Sequence, residues 1–426
     1  MTPKRIKVLY VCPFAHYPGH FPWAATYETG ALAQAGAEVN LLTFCGVIGR
    51  AKVKVPQLTV LSHIKLAIPL YHLANFLRRW GFTVWLSMFL ETYLTLAVAV
   101  RLKRKLNYDI IHLRDGEPFL FLLHLFNLPR RGYNWVVSLT GSNLVTHLPL
   151  LTALRRSFRL FLYTIYLRTI NSNLWKPVYR GSLARNHFLF LTQDELTKQN
   201  FESYVKGVLS GKVICLPLGV DEADKVISKE EARKYLGLPQ DKPVFLSFGF
   251  LHAGKDWETV FRALRDVHNA FLIHGGDQGF RLHLSNSTSL AQRYGMLNRT
   301  IIKDCYIPEE EKPYYFFATD AIILSYTKQF LSTSSLLWEA CRFGTPVIAS
   351  DNDQLRELVE ASQSGLVFTA QDADSLREAI VRFISLKPDQ IERLKTNCRR
   401  FSNEFSLEKW AQRCLEIYDK LLANKS

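Results

Sequence analysis

AIILSYTKQFLSTSSLLWEACRFGTPVIASD, residues 321–351, decides the fold. An apolar run at 321–325 leads into a polar loop, then a helical stretch from about 333 to 343, then Gly344, Pro346 and a second apolar run at 347–350. Short continuous apolar runs bounded by turn residues read as strands buried on both faces. Glycine just past a helix takes the left-handed conformation cheaply, and a proline beyond it keeps the helix from resuming. Strand, helix, strand in that order is a βαβ unit, which requires a parallel sheet.

The same grammar extends in both directions. Upstream, a strand at 243–248 meets Gly249, a loop (FLHAGKD) and a helix at about 256–266. A strand at 270–274 then runs into Gly275-Gly276, and a strand at 300–305 precedes a helix around 309–318. Downstream come a helix-strand pair ending at Phe368, a helix at about 375–384, a Pro-containing break near 388 and a long helix through 407–422. The first half opens with a strand at 5–12, a Pro- and His-rich loop, a helix at about 24–36 ending at Gly36, and a strand at 38–44. Further strands are expected at 108–113, 134–140, 187–191 and 212–216. A chain of 426 residues exceeds what one core usually supports. The expected class is α/β, with two doubly wound Rossmann-like domains facing across a cleft at the carboxyl ends of their strands. Residues 1–215 form the first, 216–404 the second, and 405–426 a C-terminal helix.

Charge is distributed unevenly. Residues 1–215 carry 26 Lys and Arg against 9 Asp and Glu, whereas 216–426 carry 27 against 29, so the net +15 arises in the first half. Basic clusters at Arg78-Arg79 and at Arg101, Lys103, Arg104 and Lys105 suit phosphate-rich partners such as an anionic membrane surface or a polyprenyl-phosphate. Nucleic acid is not expected, because no RNP, KH, zinc-finger or recognition-helix signature accompanies the charge. The longest apolar stretch, 81–100, has Glu91 at its middle and reads as a buried or interfacial helix rather than a span. No signal peptide is visible. Seven scattered cysteines without a CxxC pair argue against disulfides or structural zinc, and buried thiols are expected at Cys12, Cys215 and Cys305.

Chemistry concentrates in a few places. Ser332, Thr333, Ser334 and Ser335 stand at a helix start, where hydroxyls cap first-turn amides and the free amides suit a diphosphate. Glu339 lies one turn on. Beside a phosphate its carboxylate needs another target, and vicinal ribose hydroxyls are the natural one; a solvated glutamate on an ordinary capped helix is the alternative. Lys255 follows a strand-loop transition and offers an ammonium to a leaving diphosphate, with His252 nearby. Gly249, Gly275 and Gly276 permit close backbone approach to a ligand, while no GxGxxG marks a redox dinucleotide site. Gly19 and His20, in the first loop, are candidates to line the cleft. Asp351-Asn352-Asp353 and Asp372-Ala373-Asp374 have a spacing that can clasp a cation, though turns and caps use it equally. HExxH and GxSxG are both missing, which removes the zinc-protease and α/β-hydrolase readings.

Taken together, PLGVD at 217–221, FGFLHAGKDWETVFRA at 248–263, LLWEACRFGTPVIASD at 336–351 and ELVEASQSGLVF at 357–368 resemble the retaining GT-B glycosyltransferases of family 4 (glycosyl transferases group 1). The resemblance implies a nucleoside-diphosphate-sugar donor, UDP-sugar favoured over GDP-sugar, in the C-terminal domain. A glycan or polyprenyl-linked saccharide acceptor would sit in the N-terminal one. It also implies no tightly bound cofactor, no essential metal, and a place in polysaccharide or glycolipid synthesis of the cell envelope. Such a protein is expected to be cytoplasmic, or peripheral on the cytoplasmic face of the inner membrane. By the family pattern Lys255 meets the diphosphate, Glu339 the ribose, and the final helix packs back on the N-terminal domain. Three positions depart from it. Leu331 stands where the first of the paired glutamates is usual, Phe250 where an arginine is, and Thr140 where a histidine is. Thr140 keeps only a hydroxyl for the sugar. These departures also leave open a catalytically silent nucleotide-binding subunit that supports a partner transferase.

Overall fold

The computed structural model describes residues 5–16, 20–44, 47, 58–62, 84–114, 122, 132–139, 165, 187–205, 211–221, 225–249, 254–276, 287–328, 330 and 334–423. They form two compact units: Met1–Gly219 with Leu407–Ser426, and Val220–Ser406.

The first unit is built on seven parallel strands: β1 Lys7–Cys12, β2 Glu38–Thr43, β3 Leu58–Ser62, β4 Ile110–Arg114, β5 Trp135–Leu139, β6 Phe188–Thr192 and β7 Val213–Cys215. Their spatial order is β3-β2-β1-β4-β5-β6-β7, the reversal at β1 that defines a doubly wound sheet. Alternate residues of β1 feed opposite faces, as the two-residue period of a strand dictates. Leu9 and Val11 join a core with Leu96, Ala99 and Val100 of the helix Val84–Leu106. Val8, Tyr10 and Cys12 join Leu32, Leu407, Trp410 and Tyr418 on the other face. The helix Leu407–Ala423 buries Leu407, Trp410, Ala411, Cys414, Ile417, Tyr418 and Leu421, one stripe at helical spacing. Tyr418 Oη lies 2.6 Å from His112 Nδ1, and His112 Nε2 lies 2.6 Å from Ser138 Oγ, so the last helix is tied to β4 and β5 by polar contacts as well. Unit 2 repeats the plan with β8 Val244–Phe248, β9 Phe271–Gly275, β10 Thr300–Lys303, β11 Ala321–Leu324, β12 Val347–Ser350 and β13 Gly365–Phe368, ordered β10-β9-β8-β11-β12-β13 and all parallel.

Several local expectations change. The helix expected at 24–36 comprises His20–Trp23, a π-helical turn Ala24–Glu28 and Thr29–Gln34, with Gly36 at φ 109°. The Thr29 hydroxyl donates to the Ala25 carbonyl, a back-bond that perturbs helices. Buried Glu28 accepts from Arg114 Nη2 at 3.0 Å and from the Tyr10 hydroxyl. Burial, then the Glu28 charge, pushes the Tyr10 phenol well above its ordinary range. The break expected near 388 falls at 385–387, and a helix the sequence reading did not place, Pro388–Glu404, follows it, because proline is compatible with the first turn. Cys12 is buried, but Cys215 is half-buried and Cys305 exposed, correcting the expectation for those two: Cys215 ends the short strand β7, whose last two residues are half-buried, and Cys305 lies just past β10.

Glu91 is fully buried in the helix Val84–Leu106, with His16 Nε2 3.4 Å from its carboxylate. Among the described residues no helix is long and apolar enough to cross a membrane. Arg101, Arg104 and Lys105 are exposed at the end of that helix. Arg78 and Arg79 lie outside the described residues.

Trp410→Ala should destabilise the first unit by about 3–5 kcal/mol, the usual cost of emptying a buried aromatic site. Urea unfolding monitored by circular dichroism measures it.

Candidate functional site

In unit 2 the carboxyl ends of β8 and β9 touch through their backbones. Gly249 N donates to Gly275 O at 2.9 Å, and Gly276 N to Lys303 O at 2.9 Å. Gly276 has φ 152°, and a Cβ there would lie 2.1 Å from Gly249 O. No L side chain fits, so this glycine answers to a close backbone approach. A Cβ on Gly249 (φ 101°) would lie 3.1 Å from Leu336 Cδ1 and 3.3 Å from Lys255 Nζ. Four segments separated in sequence therefore converge: the strand ends at 249 and 276, Lys255, and the first turn of the helix Ser335–Arg342.

Lys255 is held by an antiparallel bridge to Tyr326, and Asp256 caps the following helix Trp257–Arg265 through its side chain. The Lys255 ammonium turns inward. It donates to the Phe248 carbonyl at 2.5 Å and lies 5.3 Å from the centre of the Tyr326 ring. Burial lowers its pKa to about 7. His274 on β9 is buried edge-on to Trp257, with ring centroids 3.9 Å apart. Burial, reinforced by the Lys255 charge, lowers the His274 pKa to about 3, so it is neutral at physiological pH.

The helix Ser335–Arg342 starts differently from the sequence expectation. Ser334 is its N-cap but makes no side-chain cap, because its hydroxyl lies 2.6 Å from the Tyr326 hydroxyl instead. The first-turn amides therefore receive no hydroxyl from Ser334, and the exposed Ser335 begins the helix. At the other end Thr345 N donates to Ala340 O and Gly344 N to Cys341 O, with Gly344 at φ 66°, the glycine stop read from the sequence.

Glu339 is one turn along, and its Oε1 accepts from Lys312 Nζ at 2.6 Å. Lys312 also meets Glu309 Oε1 at 2.6 Å, and Arg342 Nη1 lies 3.7 Å from Glu309 Oε2. Burial opposes the Lys312 charge, but Glu339 and Glu309 outweigh it and hold the pKa above the usual lysine range. Burial raises the Glu309 pKa despite the neighbouring ammonium. Sequence reading missed Lys312 and Glu309. EEEK at 309–312 looks like a solvated charge run, and only the fold brings it under Glu339.

Of the residues singled out from sequence, Gly249, Lys255, Gly275, Gly276, Ser334, Ser335 and Glu339 are placed in unit 2. Gly19, Thr140, His252, Ser332 and Thr333 lie outside the described residues, as do Phe250 and Leu331. The side chain of His20 is likewise undescribed. The two acidic pairs serve local structure. Asp351 Oδ1 accepts from Ala370 N, and Asp372 Oδ1 caps its helix by accepting from Asp374 N and Ser375 N. Among the described residues no group of three or more His, Cys, Asp or Glu could hold a metal ion.

Residues 228–401 match the family model "Glycosyl transferases group 1". No curated protein matches the chain in sequence. Among solved structures, sucrose-phosphate synthase from Thermosynechococcus elongatus is similar at 19% identity and TM-score 0.71, covering 99% of this chain and 100% of that one. A glycosyltransferase from Rickettsia africae is similar at 15% and 0.70, covering 99% and 100%. Anabaena HepE, solved in complex with UDP-glucose, is similar at 16% and 0.65, covering 98% and 100%.

Gly276→Ala should cost about 3 kcal/mol or more, from backbone overlap and strain together. Gly295→Ala, at φ 66° with nothing within 4 Å of the new Cβ, should cost only about 1 kcal/mol. Paired denaturant titrations compare them.

Proposed function

We propose, for a chain with the GT-B fold whose residues 228–401 belong to the glycosyl transferases group 1, that it transfers a sugar from a nucleoside-diphosphate-sugar to a glycan or lipid-linked acceptor with retention of configuration. A UDP-sugar is the favoured donor, with GDP-sugar second. The observation that carries the reading is the convergence of Gly249, Gly276, Lys255 and the amino end of the helix Ser335–Arg342. That place brings together two glycine backbones in close approach, amides without a Ser334 hydroxyl cap, and one lysine held inside. A diphosphate suits the amides and the lysine. UDP-glucose in the similar HepE structure supports the donor class.

In this reading the first-turn amides and Lys255 bind the diphosphate, and Glu339 accepts hydrogen bonds from the ribose hydroxyls. As the glycosidic bond lengthens, negative charge collects on the leaving diphosphate, and Lys255 turns outward to stabilise it. His252, Ser332 and Thr333 are further donor residues in this proposal, and Gly19 and Thr140 are its candidate residues in the first half of the chain. The acceptor oxygen attacks from the face the diphosphate leaves. Acceptor binding belongs to residues 1–215, and the basic residues Arg101, Arg104 and Lys105 hold an anionic membrane surface or lipid phosphate. No tightly bound cofactor or metal takes part, so chelator leaves transfer unchanged.

A calorimetric panel of nucleotides and nucleotide-sugars tests the reading, followed by NMR of the product anomer. Failure of every nucleoside diphosphate to bind would overturn it. Lys255→Met should lower kcat about 100-fold or more, the usual loss on removing a charge-stabilising donor. Glu339→Ala should weaken UDP binding about tenfold, the loss of one or more hydrogen bonds to a charged acceptor.

Lys255 also gives binding a pH signature. In the free protein it loses its proton near pH 7, and beside a diphosphate it keeps the proton to higher pH. Binding above pH 7 then takes up a proton, and affinity falls as pH rises from 7 to 9. Calorimetry in buffers of different ionisation enthalpy counts that proton. Lys255→Met should abolish the uptake.

A further inference from the structure

Glu339 does not stand alone. Its Oε1 is occupied by Lys312 at 2.6 Å, and that ammonium is shared with Glu309, also at 2.6 Å. Arg342, one turn after Glu339 on the same helix, lies 3.7 Å from the far oxygen of Glu309. The four groups alternate in charge: Glu339, Lys312, Glu309, Arg342. Side-chain exposures run from 6% to 17%, so none is an ordinary surface pair whose contribution solvent would cancel. The arrangement joins three elements: the Glu309 loop, the start of the helix Lys312–Phe317, and the helix Ser335–Arg342.

We infer that Lys312 is a positioning residue for the donor site: by holding Glu339 Oε1 it fixes the carboxylate so that Oε2 meets the ribose, making Lys312 the determinant of ribose over 2′-deoxyribose. The inference rests on the ribose role proposed for Glu339 and names what enforces it. A glutamate side chain has three rotatable bonds. One oxygen held by a half-buried ammonium removes most of that freedom. Without Lys312, Glu339 loses its ammonium partner, while Glu309 keeps Arg342 Nη1 at 3.7 Å. The Glu339 carboxylate then regains its side-chain rotamers, and Oε2 is no longer aimed. Besides Glu309 and Glu339, the charged and titratable groups facing the cluster are Arg342 and Tyr306, whose phenol burial and then Glu309 push upward.

The test is calorimetry of UDP against 2′-deoxy-UDP, and of GDP against 2′-deoxy-GDP, on the full-length chain. Wild type should prefer the ribonucleotide, and Lys312→Met should shrink that preference at least fivefold. Lys312→Arg, which keeps a cation in place, should restore most of it. Glu339→Gln serves as the control. If it keeps the wild-type preference, the ribose role of Glu339 fails, and this inference falls with it. If it loses the preference while Lys312→Met keeps it, the ribose role stands and the inference about Lys312 is overturned. Equal weakening of both nucleotides by Lys312→Met, with the ratio unchanged, overturns it too, since a merely structural role predicts that result. Should Lys312→Met fail to fold, the double variant with Glu309→Gln removes the second carboxylate that Lys312 holds. The reduced preference must persist there; a wild-type ratio in the double variant refutes the positioning role.

Discussion

A parallel sheet must hide both faces, and most of this protein's organisation follows from that requirement. Its strands hydrogen-bond side by side but connect only through crossovers, so helices come to cover the two faces. The central strands β4, β5 and β8 are buried along their whole length. With faces and flanks covered, the strand ends are where backbone and side chains stay accessible. The carboxyl ends of β8 and β9 meet there as Gly249 and Gly276, too close for any Cβ on Gly276. The same requirement explains the last helix. The face of the first sheet that carries Val8 and Tyr10 is covered in part by Leu407, Trp410, Cys414 and Tyr418, from the far end of the chain.

Charge management inside unit 2 follows a second rule, that a buried ion needs a partner or gives up its charge. Lys312 keeps its proton because two carboxylates hold it. Among the described residues Lys255 meets a carbonyl and an aromatic face but no carboxylate, and burial brings its pKa to about 7. Among the described residues no carboxylate or carbonyl offsets the burial of His274, which stays neutral. Three basic side chains in one unit thus stand at three points on the same scale. The one left nearest its titration point is the one beside the two glycines, where an anion would change its state most.

The fold was legible in the sequence because buried parallel strands write themselves as short apolar runs. VFLSF, AIIL and VIAS need no neighbours to be read, and Gly344 marks its helix end by its own backbone conformation. Local signals failed where two of them coincide. Pro388 marks the break after Ile384, but it also starts a seventeen-residue helix that the break concealed, since the same missing N–H that stops a helix inside is harmless at its first position. The π-turn at Ala24–Glu28 leaves no mark on a helical pattern. Its consequence, a buried Glu28 beside Arg114, depends on a residue 86 positions away.

The site divides along the same line. Glycines and lone functional side chains can be picked from sequence, because their chemistry is their own: Gly249, Gly276, Lys255 and Glu339 need no partner to be noticed. Ser334 and Lys312 show the limit. A serine before a helix is read as its cap, but the Tyr326 hydroxyl competes for the same Oγ and holds it at 2.6 Å. A lysine in a charge run is read as solvated, but twenty-seven residues on, Glu339 turns it into one link of a half-buried chain of alternating charge. In both cases the missing information is a partner identity rather than a residue property. Pair interactions of this kind decide how tightly a functional side chain is aimed, so a site's composition is readable in one dimension while its geometry needs the fold.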